Sequence, residues 1–111
     1  MRVLIALEEN SGMDSRVSSH FGHAPFFAVW DTETKTLDIF ENELEHSGPV
    51  TPVDQIMQHK PDLVYTLGIG HRALRLFAEK GVVVKTGGFN RVREVLENLD
   101  KLEDMESDCG H

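Results

Sequence analysis

The chain has 111 residues, of which 40% are hydrophobic and 27% are charged, and its formal net charge is −8. A chain of this length forms one domain, and no apolar run approaches the roughly 20 residues that cross a bilayer. The single cysteine excludes an internal disulfide framework, and the acidic balance is not that of a nucleic-acid binder. We therefore expect a cytoplasmic globular domain with neither a membrane nor a nucleic acid as its partner.

The first part of the chain predicts three strands and one long loop. Val3 to Leu7 is a continuous apolar run, which is typical of a strand buried on both faces. Residues 8–25 form a polar connection, and loops of that length in compact domains are commonly functional or mobile. Residues 26–30 are aromatic and β-branched, and residues 37–40 alternate in polarity, so these two segments predict a β-hairpin.

The second part of the chain alternates helical and strand patterns. A threonine cap followed by proline predicts a short helix from Thr51 to about Lys60. Two further strands and two further helices follow, because short Val-rich and Leu-rich runs alternate with segments of helical spacing. Their predicted bounds are 63–67 and 82–84 for the strands and 71–80 and 91–102 for the helices.

The order β-β-β-α-β-α-β-α predicts an α/β domain with a mixed sheet. A hairpin on one side of the first strand and right-handed crossovers on the other give five strands in the order 3-2-1-4-5, with strand 2 antiparallel and three helices packed on the sheet. This order is similar to ribonuclease H-like architecture. We expect the domain to span residues 1–102 and the acidic residues 103–111 to form a flexible tail.

A nuclease of that architecture needs several carboxylates that hold two metal ions. The first strand offers only Glu8, at its end, and the fourth strand only Asp62, at its start. The sequence therefore does not favour a nuclease.

Ligands of such sheets bind beyond the carboxyl ends of the parallel strands, where the strand order reverses. The segment Gly68-x-Gly70-x-x-Ala73 reaches that edge and formally matches a dinucleotide-binding fingerprint. The acidic residue that would bind the ribose is missing, because residues 82–92 contain no Asp or Glu. Two interpretations remain, a glycine turn that presents backbone N–H groups to an anion and a tight turn without a ligand.

Histidines converge on the same edge. His20 and His23 flank Gly22 on the long loop, so both imidazoles can reach one metal centre. The predicted topology brings His71 to this edge as well, and Cys109 adds a thiol whose location the sequence does not determine. Exposed histidines without a ligand are the alternative interpretation.

The charges and the cysteine count restrict the ligand. Residues 71–93 carry six basic side chains and one acidic one, a sum of +5, so an anion can be attracted locally. An ordinary iron–sulfur cluster is held by four thiolates, and this chain has one cysteine. A preformed cluster brings its own sulfides and needs only a few His or Cys contacts, N–H donors and basic side chains.

The loop segment 15–27, SRVSSHFGHAPFF, resembles the corresponding loop of the dinitrogenase iron–molybdenum cofactor biosynthesis family. That family includes NifX-type carriers and the C-terminal domain of NifB-type proteins. The Gly68-Ile69-Gly70 turn, the helix after it and the Val-rich strand match in order and spacing, so the resemblance covers residues 2–100. It implies a ribonuclease H-like α/β fold and a binding rather than catalytic role, since members carry or store metal–sulfur clusters.

The resulting hypothesis is a non-enzymatic carrier that binds, rather than assembles, an anionic metal–sulfur cluster such as a precursor of the iron–molybdenum cofactor. Its partners would be proteins that assemble or accept the cluster. The predicted metal ligands are His20, His23, His71 and Cys109. The resemblance implies that the loop segment Ser19 to His23 lies at the cluster site, so the predicted binding site consists of Ser19, His20, Phe21, Gly22, His23, Gly68, Gly70, His71 and Arg72. The alternative is a non-catalytic regulatory or interaction module that binds a small anionic ligand without metal.

Overall fold

The computed structural model describes residues 1–44 and 48–105, which form one mixed β-sheet with helices packed on it. The strands are β1 (Arg2–Leu7), β2 (Phe26–Asp31), β3 (Thr36–Glu41), β4 (Leu63–Tyr65), β5 (Val83–Thr86) and β6 (Glu103–Asp104). The α-helices are α1 (Pro52–Ile56), α2 (His71–Glu79) and α3 (Val92–Glu97). Short 3₁₀ turns lie at Gly12–Asp14, Phe21–His23, Met57–His59 and Leu99–Lys101. No helix in these two ranges is long and apolar enough to span a membrane.

The strand order is β3-β2-β1-β4-β5-β6. Strands β1, β4 and β5 run parallel, whereas β2 is antiparallel to both β1 and β3. The predicted order of the first five strands and the antiparallel direction of β2 are therefore confirmed. The ribonuclease H-like assignment stays a prediction.

The prediction of five strands was wrong, because the sheet formed by the described residues has six. Strand β6 pairs antiparallel with β5, and the ammonium group of Lys85 lies 2.6 Å from a carboxylate oxygen of Asp104. A strand of two residues has no hydrophobic period, so sequence patterns do not reveal it. The sheet thus includes the start of the segment predicted as a tail, while residues 106–111 lie outside the described part of the chain.

The core explains why β1 is apolar throughout. Val3, Ile5 and Leu7 face a cluster that includes the buried side of α3. Leu4 and Ala6 face a second cluster, which contains the buried rings of Phe21, Phe27 and Phe77. Successive side chains of a strand point to opposite faces, so a central strand covered on both faces needs apolar residues at every position. The strand that leads to the long loop is consequently fixed in the middle of the sheet.

The long connection 8–25 folds back along β1. The N–H of Glu8 donates to the carbonyl of Arg16 at 2.8 Å, and the N–H of Ser18 donates to the carbonyl of Ala6 at 2.8 Å. The N–H of Val17 donates to the carbonyl of Asn90, also at 2.8 Å. These bonds bring residues 18–23 to the edge of the sheet where β1 and β4 end.

Candidate functional site

A cavity of about 770 Å³ opens at this edge. One wall is the loop 19–23, the second is the turn 68–70 with the first turns of α2, and the third is the segment 48–53. Cavities of roughly 300–1,000 Å³ are typical of small-molecule and cofactor sites. The sheet edge that the sequence predicted as a binding site therefore contains a cavity of suitable size.

All the predicted binding residues except His71 line this cavity. Those that line it are Ser19, His20, Phe21, Gly22, His23, Gly68, Gly70 and Arg72. His71 lines a second cavity of about 540 Å³, which it shares with Arg75, Asp104 and Met105. Neighbouring residues of an α-helix point in directions roughly 100° apart, so His71 and Arg72 face different cavities. Cys109 lies outside the described residues, and its role stays a prediction.

The turn and the loop approach each other very closely at Gly68. A β-carbon on Gly68 would lie 2.2 Å from the carbonyl oxygen of Ser19, closer than real β-carbons come to any atom. The N–H of Phe21 donates to the carbonyl of Gly68 at 3.0 Å, and this bond joins the two walls directly. Glycine is therefore required here so that backbone can pack against backbone.

Phe21 anchors the loop in the core. Its side chain is 2% exposed, and its ring centroid lies 5.3 Å from that of Phe27 and 5.6 Å from that of Phe77. The contact with Phe77 is edge-to-face, which is a favoured geometry for aromatic pairs. Since Phe77 lies on α2, this cluster fixes the loop relative to the helix whose first turn lines the cavity.

Sequence patterns missed two groups of residues that shape the site. The side-chain amide of Asn42 donates to the carbonyls of Gly22 and Ala24, at 3.3 and 2.7 Å. These two hydrogen bonds fix the end of the loop to the residue that follows β3. The segment 48–53 supplies a complete wall. Both lie far from the loop in sequence, and no local pattern indicates the contact.

The third wall is tied to α2 through the start of α1. The N–H of Asp54 donates to the hydroxyl of Thr51 at 3.1 Å, and that hydroxyl donates to the carboxylate at 2.9 Å. The ammonium group of Lys80 lies 2.7 Å from the same carboxylate. Its hydrogen bond, together with that of Thr51, lowers the pKa of Asp54. This confirms the predicted threonine cap and links the wall to the end of α2.

The lining of the cavity favours an anion. Arg72 contributes a guanidinium group, and none of the described lining residues is acidic. The helix α2 begins at the cavity after Gly70, and no side chain in the described ranges caps it. The first N–H groups of an α-helix have no partner within the helix, and they carry its partial positive charge. The site thus combines a cation with backbone donors.

The metal-binding capacity of the described residues is limited. Residues 1–44 and 48–105 contain no group of three or more His, Cys, Asp or Glu side chains that could hold a metal ion. The cavity offers the imidazoles of His20 and His23, both on exposed residues. Two imidazoles do not complete a tetrahedral metal site, but they suit a cluster that brings its own sulfides.

The fold and the cavity define a small α/β domain with a cavity at the edge of a mixed sheet, lined by Arg72 and by no acidic residue among those described. The chain belongs to the dinitrogenase iron-molybdenum cofactor family, whose sequence model matches residues 1–102. This confirms the resemblance seen in the loop sequence. No match was found among curated proteins.

Solved structures share the fold over nearly the whole chain. PH0822 is 34% identical, with a TM-score of 0.80 and coverage of 95% of this chain and 96% of that chain. A candidate NifB protein from Thermotoga is 23% identical, with a TM-score of 0.78 and coverage of 93% and 91%. The apo form of the orange protein from Desulfovibrio gigas is 20% identical, with a TM-score of 0.79 and coverage of 94% and 92%. The last two likenesses show the fold alone.

Proposed function

We propose that this protein is a non-catalytic carrier that binds a preformed anionic metal–sulfur cluster in the 770 Å³ cavity. The observation that carries the proposal is the convergence of His20, His23 and Arg72 with the start of α2 around one cavity. Membership of the dinitrogenase iron-molybdenum cofactor family supports a cluster of that kind, a precursor or a relative of the cofactor, as the cargo.

The loop wall and the α2 wall have separate chemical tasks in this proposal. The imidazoles of His20 and His23 ligate metal atoms at the surface of the cluster, because imidazole suits iron and related transition metals. The N–H groups at the start of α2 donate to the sulfides, and Arg72 compensates their negative charge. The cluster supplies all the remaining sulfur, so a chain with one cysteine suffices.

A carrier of this kind works between other proteins. We propose that one cytoplasmic partner assembles the cluster and another accepts it. An open cavity at the edge of the sheet suits such an exchange, because a ligand held by few protein bonds can be released to a stronger set of ligands.

The test is an anaerobic titration with a reconstituted iron–sulfur or molybdenum–sulfur cluster, followed by visible spectroscopy and gel filtration. We expect the chromophore to elute with the wild-type protein and to be lost when His20→Ala and His23→Ala are combined. A wild-type protein that elutes without the chromophore would overturn the proposal, as would unchanged retention in the double variant.

The same titration tests the two remaining metal ligands predicted from sequence, His71 and Cys109. His71 lines the second cavity, so binding through the first cavity alone predicts that His71→Ala retains the chromophore. A loss as large as that of the double variant would instead assign His71 to the site. Cys109→Ser provides the corresponding test for the thiol.

A second candidate is a regulatory or interaction module that binds a small phosphate- or carboxylate-bearing ligand without metal. The absence of a three-residue metal-ligand group in the described ranges favours it. A ligand that binds only the folded protein raises the melting temperature. A rise with inorganic phosphate, together with no retained cluster, would favour this candidate.

A further inference from the structure

Two buried hydroxyl groups lie between the end of β4 and the loop that carries His20. Ser18 and Thr66 are both 0% exposed, and Ser15 is the only other buried polar or charged residue in the described part of the chain. Buried hydroxyl groups are costly unless they are hydrogen-bonded. Because both hydroxyls lie next to the proposed site, their hydrogen bonds can fix the geometry of that site.

The hydroxyl of Thr66 connects β4 to both walls of the cavity. Its oxygen lies 3.0 Å from the carbonyl oxygen of Gly68 and 3.3 Å from that of Ser18, and its one proton can be donated to either. It also accepts the N–H of Gly68 at 3.4 Å. The N–H of Leu67 donates to the carbonyl of Ser18 at 3.2 Å, so two successive residues of the strand end hold Ser18.

The hydroxyl of Ser18 continues the connection to His20. It accepts the N–H of His20 at 3.1 Å and lies 3.4 Å from the carbonyl oxygen of the same residue. Both backbone groups of His20 therefore lie against the hydroxyl of Ser18. The backbone carbonyl of Ser18 in turn lies against the hydroxyl of Thr66. His20 itself lines the cavity.

We propose that Thr66 is a positioning residue, which acts through Ser18 to hold the backbone of His20 at the cavity. That His20 is a cluster ligand rests on the proposed function. The strand β4 lies in the middle of the sheet between β1 and β5. Thr66, directly after this strand, therefore links the exposed residue His20 to a rigid part of the fold. If the loop is already ordered before the cluster binds, binding costs less conformational entropy.

Amide hydrogen exchange tests the positioning role without any cargo. We expect Thr66→Val to accelerate exchange of the His20 and Phe21 amides by about five- to tenfold, which is the effect of losing one net hydrogen bond. Thr66→Ser keeps the hydroxyl and is expected to restore exchange to within about threefold of wild type. Unchanged exchange at both amides in Thr66→Val would overturn the proposal.

Ser15→Ala is the matched control. In the wild-type protein, the buried hydroxyl of Ser15 donates to the carbonyl of Gly12 and accepts the N–H of Ser11, both at 2.7 Å. This part of the loop does not line the cavity. The Ser15→Ala substitution is expected to lower global stability while leaving the protection of the His20 amide relative to the core amides unchanged. Equal loss of protection at His20 in Ser15→Ala and Thr66→Val would show a general stability effect and overturn the proposal.

Ser18→Ala keeps the test decisive if Thr66→Val does not fold. It removes the bonds to His20 and leaves those between Thr66 and Gly68 in place, so it should accelerate exchange at His20 and leave Leu67 protected. Unchanged exchange at His20 in this variant would overturn the proposal.

Cluster retention then separates the two proposals. If wild type retains the cluster, we expect several-fold weaker retention in Thr66→Val and recovery in Thr66→Ser. If wild type retains none, the carrier function fails while the exchange result still decides whether Thr66 positions His20. Full retention in Thr66→Val despite accelerated exchange would show that this positioning does not serve the cargo.

Discussion

Gly68 and Ser19 are in backbone contact, and a β-carbon on Gly68 would meet the carbonyl oxygen of Ser19 at 2.2 Å. The neighbouring carbonyl carbon would be 3.2 Å away, so a peptide group rather than a flexible side chain would have to move. The walls of the cavity therefore depend on a residue that contributes no side chain.

The first prediction follows from this contact. Gly68→Ala is expected to lower the free energy of unfolding by about 2–3 kcal/mol, because overpacking against backbone shifts the loop. Gly88→Ala is the control, since nothing lies within 4 Å of its added β-carbon, and it should change stability by less than about 0.5 kcal/mol. Urea unfolding of both variants provides the measurement, and equal stability of the two would contradict the prediction.

A second prediction concerns the aromatic anchor of the loop. Phe21→Ala is expected to cost about 3–5 kcal/mol, because it leaves a cavity between Phe27 and Phe77. Phe21→Leu keeps most of the buried volume and should cost less than about 2 kcal/mol. Urea denaturation followed by circular dichroism measures both. A cost below about 1 kcal/mol for the alanine variant would show that the ring is not part of the folded core.

The third prediction compares two arginines of α2. Arg72 lines the first cavity and Arg75 lines the second, and both residues are exposed on the helix. Arg72→Ala should weaken anaerobic cluster retention about three- to tenfold at low salt, with a smaller effect at high ionic strength because salt screens exposed charges. Arg75→Ala should leave retention unchanged. Equal effects of the two substitutions would indicate a general charge effect instead of a contact in the first cavity.

The fourth prediction concerns pH and His59. The imidazole stacks on Phe40 with ring centroids 4.4 Å apart. Burial, with a contribution from the charge of Arg2, lowers its pKa below the usual 6.5. The folded state then binds fewer protons than the unfolded state as the pH falls from about 6.5 towards the lower folded pKa. The free energy of unfolding should therefore decrease across that interval.

Stability measurements on His59→Gln at a series of pH values test this interpretation. The variant should lose the part of the pH dependence that falls just below pH 6.5, whereas His71→Gln, on the exposed first turn of α2, should keep it. An unchanged pH profile in His59→Gln would assign the dependence to other groups.

Much of the fold was predictable because the relevant signals are local. The apolar run of β1, the hairpin of β2 and β3, and the proline and glycine boundaries of the helices depend on residues close in sequence. Right-handed crossovers then left few possible orders for the first five strands, and the predicted order is confirmed. The sheet topology places the long loop 8–25 at the binding edge, and the resemblance to the family loop narrows the predicted site to the segment Ser19 to His23.

The remaining features depend on contacts between distant residues. Strand β6 exists through its pairing with β5, and the side chain of Asn42 binds the carbonyls of Gly22 and Ala24, about 20 residues earlier in the chain. The direction of a helical side chain is set by how the helix packs, and this separates His71 from Arg72 although they are neighbours in the chain. Sequence patterns thus predict candidate groups and the sheet edge that carries them. Packing decides which of those groups share one cavity, because side-chain direction is a property of the assembled core.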